Sequence, residues 1–285
     1  MDLNKLTYKI LVLDDGSKDN SVSVIENLHS KDQQVKLIQF RKNYGKSAGL
    51  SAGFEVATGD FIVTMDADLQ DDPKEIPNLL TKLNEGHDLV SGWKKNRRDS
   101  FSKRFFSKVY NFFTSKLSGI KLHDFNCGLK AYRKEVIKSI KIYGELHRYL
   151  PVIAFHQGFK ITEIPVTHHH RKYGKSKFGT ARFTRGAFDL ITITFLTKYN
   201  KRPLHLFGIL GLLSFLLGSI ISLLLAYQRI FQNQYLSNRP LLFLGVLLII
   251  IGIQFITLGL LGEMITAQKH DGESYSIKNT IGLKV

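Results

Sequence analysis

Phe61-Ile62-Val63-Thr64-Met65-Asp66-Ala67-Asp68-Leu69-Gln70-Asp71-Asp72-Pro73 is the stretch on which the reading of this 285-residue chain turns. Asp60 to Met65, apolar or β-branched from Phe61 on, reads as a strand, and Pro73 to Asn84 reads as a helix with proline in its first turn. Between them lie four acids. In an open α/β sheet, ligands bind beyond the carboxyl ends of the strands, so paired acids at that place point to chemistry. Ala67 separates Asp66 from Asp68 by one residue in a turn, where both carboxylates can face one hard cation and Gln70 can add an oxygen. Mg²⁺ or Mn²⁺ takes few protein oxygens and completes its shell with water and phosphate, which suits this pattern. Capping of the next helix explains Asp71 or Asp72 but leaves Asp66 at the strand end unexplained.

The same rhythm extends outward. Tyr8 to Leu13, Val35 to Phe40 and His87 to Trp93 read as strands, and Asp19 to Ser30 and Gly45 to Thr58 as the helices between them. Further on, Cys127 to Tyr132 and Lys160 to Val166 read as strands, and Arg133 to Ile140 and Glu145 to Gln157 as helices. Such β/α alternation predicts a mostly parallel sheet with helices on both faces. Lys94 to Ser118 mixes cations with Phe101, Phe105, Phe106, Phe112 and Phe113, and needs a deep core contact or lipid.

Composition changes near Lys201-Arg202-Pro203. Pro203 to Gln228 is 26 residues, and Pro240 to Gly262 is 23, with no Asp, Glu, Lys or Arg in either. At about 1.5 Å per residue each reaches roughly 35 Å as a helix, enough to cross a bilayer. The short Arg229 to Arg239 connection predicts an antiparallel pair, and the cations before the first span place both chain ends in the cytoplasm. Gly208, Gly211, Ser214, Gly218, Ser219 and Ser222 fit either close helix contact or the ordinary glycine content of membrane helices. Between Arg171 and Arg202 stand nine Lys or Arg, interleaved with aromatic and aliphatic residues, as in helices lying at a membrane interface. The expected organisation is therefore a catalytic domain over residues 1–170, a basic loop and interfacial helices over 171–202, a transmembrane hairpin over 203–265 and a tail over 266–285. The net charge of +16 calls for an anionic partner. The sole cysteine, Cys127, permits no intrachain disulfide, and no basic-then-apolar leader opens the sequence, so the first two hundred residues are expected to face the cytoplasm.

Asp14-Asp15-Gly16-Ser17 closes one strand and precedes a helix, readable as a ligand-binding turn or as a plain Asp-Gly turn with a helix cap. His168-His169-His170 would alternate faces if extended, which makes a poor three-ligand metal site. Arg97, Arg98, Lys103 and Arg104 suit a phosphate group or anionic lipid equally well.

Taken together, Asp14 to Ser17, Asn43-Tyr44-Gly45-Lys46, Asp66 to Pro73, Asp124-Phe125-Asn126-Cys127-Gly128 and Arg171 to Lys177 resemble the inverting family 2 glycosyltransferases. The resemblance is to the polyprenyl-phosphate sugar transferases related to dolichol-phosphate mannose synthase and bactoprenol glucosyltransferases, and it runs from about residue 8 to 265. It implies a GT-A fold, a UDP- or GDP-sugar donor, undecaprenyl phosphate as acceptor, and Mg²⁺ or Mn²⁺. By the same resemblance Asp66, Asp68 and Gln70 match the metal motif, with Asp68 the strongest ligand and a catalytic residue. Asp14 and Asp15 fall at the nucleotide pocket. Asn43 and Lys46 open a helix that either approaches the nucleotide or packs tightly on the sheet. Asp124 matches the acceptor-side catalytic carboxylate, with a buried structural acid as the alternative. Arg171, Ser176 and Lys177 belong to a basic loop near the diphosphates, and His147 and Arg148 join Arg97 and Arg98 on the acceptor phosphate, although Glu145 before them is also explained as a helix start. As a base Asp124 has little to do, since a polyprenyl phosphate is already largely dianionic at neutral pH.

The implied place is a bacterial inner membrane, among anionic lipids, with a homo-oligomer compatible and nucleic acid not expected. Relatives begin with a further strand and helix, so the first β/α unit is expected to be missing from this chain, and with it an interior strand. Two other functions compete: a family 2 transferase acting on another glycan acceptor, against which the absence of a Gln-x-x-Arg-Trp signature speaks, and a catalytically silent membrane scaffold.

Overall fold

The structure, a computed structural model, describes residues 6–95, 101–142, 144, 146–170, 192, 195, 199, 202–233, 235 and 239–268. The chain divides into two compact units, Met1–Ile193 with Ser276–Val285, and Thr194–Tyr275. Arg97, Arg98, Glu145, Arg171, Ser176 and Lys177, most of the expected interfacial segment and nearly all of the tail lie outside the described residues.

The first unit begins with β1 (Ile10–Asp14), α1 (Ser21–Lys31), β2 (Val35–Gln39), α2 (Lys46–Val56) and β3 (Phe61–Thr64). A 3-10 turn over Pro73–Glu75 leads into α3 (Ile76–Asn84), followed by β4 (Leu89–Trp93) and α4 (Phe101–Ser118). The unit is completed by β5 (Lys130–Arg133), α5 (Lys134–Ser139), a second 3-10 turn over Leu146–Tyr149, α6 (Leu150–His156) and β6 (Ile161–Pro165). Prolines set both irregular starts: Pro73 and Pro77, and later Pro151, have no amide hydrogen to donate into the first turns.

The sheet is mixed rather than mostly parallel. β1 and β2 form one parallel ladder, while β3-β5-β4-β6 forms another in which β5 runs antiparallel to both neighbours and β4 pairs parallel with β6. β1 and β2 are joined through α1 and pair parallel; β5, entering from the loop after α4, runs antiparallel between β3 and β4, and β6, which follows α5 and α6, returns parallel to β4. Alternation along the central strands fills both faces. Leu89 and Tyr132 point into a core with Phe54, Val136, Ile137 and Leu150, and Val90 and Ala131 into one with Leu79, Leu83 and Leu129. Tyr132 and Phe54 meet edge-on with centroids 5.4 Å apart. The two ladders share no strand pairing, and among the described residues β1 and β3 each have a strand partner on one edge only. The β1–β2 half buries less: α1 has no buried residue, and Ile10, Val24 and Leu28 are all about half exposed or more.

In the second unit α7 (Pro203–Gln232) and α8 (Pro240–Gln268) are two helices long and apolar enough to cross a membrane. They are antiparallel. A Cβ on Gly211 would lie 2.6 Å from the Gly252 carbonyl, and one on Gly218 2.5 Å from that of Gly245, so these glycines serve close helix contact. Leucines and phenylalanines cover the outside, as lipid-facing surfaces require.

Candidate active site

The acidic turns after β1 and β3 and the loop before β5 are brought together through the start of α2. β1 delivers Asp14, buried, whose carboxylate accepts from the Ser17 amide at 3.3 Å. Asp15 accepts from the amides of Tyr44 at 2.7 Å and Gly45 at 2.9 Å, so it ties the turn to the start of α2. Gly16 has φ +76°, and a Cβ there would stand 2.7 Å from the carbonyl carbon of Lys42; only glycine fits between these loops. An open cleft beside them is lined by Ser17, Lys18, Arg41, Lys42 and Asn43.

Lys46, the first residue of α2, reaches across and pairs with Asp66 beyond β3. Burial opposes the charge of Asp66, but Lys46, Lys94 and Lys130 outweigh it and hold the carboxyl below its ordinary range. The approach of β5 is equally close. A Cβ on Gly128 would lie 2.5 Å from Asp66 Oδ2, and Thr64 Oγ1 donates to the Gly128 carbonyl at 3.0 Å. After Asp66 the chain turns through Leu69, held at φ +60°, a left-handed conformation that a leucine adopts only under constraint. Asp68 Oδ1 accepts from the Gln70 amide at 3.2 Å.

The His168 to His170 segment lies alongside this turn. His169 donates its amide to the Gln70 carbonyl at 2.8 Å and bonds Asp72 through Nε2 at 3.1 Å, and Gln70 Nε2 donates to the His169 carbonyl at 3.3 Å. The histidines thus brace the acidic turn. Among the described residues no group of three His, Cys, Asp or Glu could hold a metal by itself. Asp66 and Asp68 nonetheless offer hard oxygens next to a cationic cleft, a donor set that fits a divalent ion completed by substrate phosphates and misfits an all-protein site.

A small cleft with a volume of about 50 Å³ opens beside Asp66, lined by Lys46, Asp66, Cys127, Lys130, His147 and Arg148. His147 is fixed by Ser47, whose Oγ lies 2.9 Å from its Nδ1 and accepts from its amide at 3.2 Å. Asp124 is buried, and its Oδ1 accepts from the Asn126 amide at 3.1 Å. Two lysines not expected from the sequence complete the site. Lys94, just past β4, pairs with buried Asp71 at 3.1 Å; burial works against its charge, but Cys127, Asp71 and Asp124 outweigh it and raise its pKa. Lys130 in β5 donates to the Cys127 carbonyl, and burial pushes its pKa down. The clue to Lys130 was a lysine inside an otherwise apolar strand. Lys94 was masked by the basic run that follows it.

Cys127 stands in the middle of this group, and burial, only partly offset by Lys94 and Lys130, pushes its thiol up to about 11. On the order of one thiol in a thousand is then ionised at pH 8. The native protein in detergent is therefore expected to resist Ellman's reagent and to release one thiol per chain after denaturation. Rapid stoichiometric labelling of the native protein would contradict this burial.

The sequence model described as "Glycosyl transferase family 2" matches residues 2–141. The chain is 38% identical over 263 residues to a dodecaprenyl-phosphate galacturonate synthase of Rhizobium johnstonii, covering 90% of this chain and 78% of that protein. It is 37% identical over 260 residues to an undecaprenyl-phosphate 4-deoxy-4-formamido-L-arabinose transferase of Klebsiella pneumoniae strain 342, with the same coverage of 90% and 78%. Among solved structures, glucosyl-3-phosphoglycerate synthase from Mycobacterium tuberculosis, in complex with Mn²⁺, uridine diphosphate and phosphoglyceric acid, superposes with a TM-score of 0.52. That match has 16% identity and covers 68% of this chain and 69% of the other, a likeness of fold.

Proposed function

Because the chain belongs to glycosyl transferase family 2 and is a glycosyltransferase, we propose that it moves a sugar from a UDP- or GDP-sugar to undecaprenyl phosphate, with inversion at the anomeric carbon. The observation that carries the reading is Asp66, two residues before Asp68, at a cleft that Lys46, Lys130 and Arg148 also line. One side suits a diphosphate with its metal and the other a second phosphate. α7 and α8 are long and apolar enough to cross a membrane, where a polyprenyl phosphate is found, and both relatives above are named for sugars carried on polyprenyl phosphates.

The acceptor phosphate oxygen forms a bond to the anomeric carbon while the bond from that carbon to the donor's β-phosphate oxygen breaks, and the nucleoside diphosphate leaves. A divalent ion at Asp66 and Asp68, when bound, neutralises the charge that develops on the leaving diphosphate. Lys46 holds Asp66 in place; Lys130 and Arg148 supply fixed positive charge in a partly water-excluded cleft, where it is worth more than in solution. Arg97 and Arg98, with Arg171, Ser176 and Lys177, complete the proposed set on the acceptor and donor phosphates.

Membranes containing the protein, supplied with undecaprenyl phosphate and radiolabelled UDP-galacturonate, UDP-glucose, UDP-N-acetylglucosamine or GDP-mannose in turn, are expected to move label from one donor into a solvent-extractable lipid. The product should be a sugar phosphodiester of anomeric configuration opposite to the donor's. Efficient labelling of a water-soluble glycan without any lipid phosphate would overturn the assignment.

A further inference from the structure

Lys94 and Asp124, both part of the candidate site, are each preceded by a residue of a second pair, Trp93 and His123, that meet each other. Trp93 stacks on His123 with ring centroids 4.2 Å apart and planes 16° from parallel. Glu163 in β6 lies opposite Ser91 in the ladder, and hence on the same face of the sheet as Trp93. Its carboxylate accepts from the His123 amide at 2.9 and 3.0 Å and bonds the imidazole Nδ1. The His123 carbonyl in turn accepts from Asn111 Nδ2 of α4 at 2.7 Å. His123 is therefore held through its amide, its ring and its carbonyl by three separate elements, although its side chain is 65% exposed. The Glu163 side chain is only 11% exposed, and among the described residues all its hydrogen bonds go to His123. A nearly buried carboxylate on a sheet is costly unless such bonds compensate it. The residue it fixes is the one immediately before Asp124.

We infer that Glu163, acting through His123 and seconded by Trp93, is a positioning residue for Asp124, an inference that rests on the acceptor-side reading of that carboxylate. The peptide of His123 sets where the Asp124 Cα sits, and a displacement of about 1 Å at a reacting group can cost on the order of 100-fold in rate. Among the described residues Glu163 hydrogen-bonds to no residue of the acidic turn of Asp66 to Gln70 and does not line the Lys46 cleft, so donor binding is expected not to depend on it.

The test uses full-length protein in nanodiscs, with undecaprenyl phosphate and the nucleotide sugar that the donor screen selects. Glu163→Ala is expected to lower kcat by about 10- to 100-fold with the donor KM changed less than about twofold. Glu163→Gln, whose amide oxygen still accepts from the His123 amide, should recover most of the loss, and Trp93→Ala should lower kcat in the same direction with less effect. In an Asp124→Asn background Glu163→Ala should add little, because the group being positioned is already disabled. Wild-type kcat in Glu163→Ala, equal losses in the Ala and Gln variants, or a loss matched by a fall in thermal stability would overturn the inference. If Asp124→Asn itself keeps full turnover, the acceptor-side reading fails instead, and that outcome is read separately.

Discussion

Gly128→Ala is expected to remove about 99% of turnover while shifting the melting temperature by only a few degrees, a separation that follows from what the added methyl meets. Its Cβ would lie 2.5 Å from Asp66 Oδ2 and 2.7 Å from Cγ, so the carboxylate rather than the sheet must yield. Asp66 is half exposed on its open side and can rotate away, which spares the core. Rotation also breaks its pair with Lys46 and carries an oxygen off the proposed metal position. Asp68→Asn should lose a similar share of turnover by a different route, since it removes a charge and leaves the backbone of the turn in place. Calorimetry with the donor's nucleoside diphosphate gives a readout independent of turnover: wild type should bind more tightly with Mn²⁺ than with EDTA, and both variants should lose that difference. Turnover unchanged in both variants, or unchanged on addition of EDTA to wild type, would remove the metal from the proposed reaction.

The sequence was most legible where chemistry and periodicity coincide. β1 and β3 end within a residue or two of Asp14 and Asp66 because an apolar run and a turn-forming acid each mark the same boundary. The two apolar helices were legible for the same reason, since an uncharged run of that length has few other uses. Pairing direction was not. Whether β5 lies parallel or antiparallel to β3 depends on which end of the sheet the long loop after α4 returns to, and no local pattern in Lys130 to Arg133 records that. Asp15 shows a second limit. By sequence it is one of two equivalent acids in a ligand-binding turn, and its actual bonds are to amides 29 and 30 residues away. Lys94 shows a third, because a lysine followed by further cations reads as solvated surface until the fold turns it inward onto Asp71.

Asp124→Asn is expected to lower turnover by about 100- to 10,000-fold with little change in donor affinity, and the size of that loss should be the same from pH 6.5 to pH 9. Two roles are chemically open to a buried carboxylate on the proposed acceptor side. If it removed a proton from the acceptor phosphate, the loss would shrink as pH rises, because the second ionisation of a phosphate monoester lies near pH 6 and free solution then does the work. If it orients the acceptor or its cationic partners, the loss is indifferent to pH. The surroundings favour the second role. Asp124 interacts with Lys94 and Lys130, both charged neighbours in the same buried group, and its Oδ1 already accepts from the Asn126 amide. A carboxylate so placed is an electrostatic partner for the two lysines, which is a positioning role. Replacing it with the isosteric amide keeps the shape and removes the attraction, so the ammonium groups lose their alignment at every pH. A loss that falls steadily between pH 6.5 and pH 9 would assign Asp124 the proton instead, and weakened donor binding with turnover preserved at saturation would remove it from the acceptor side altogether.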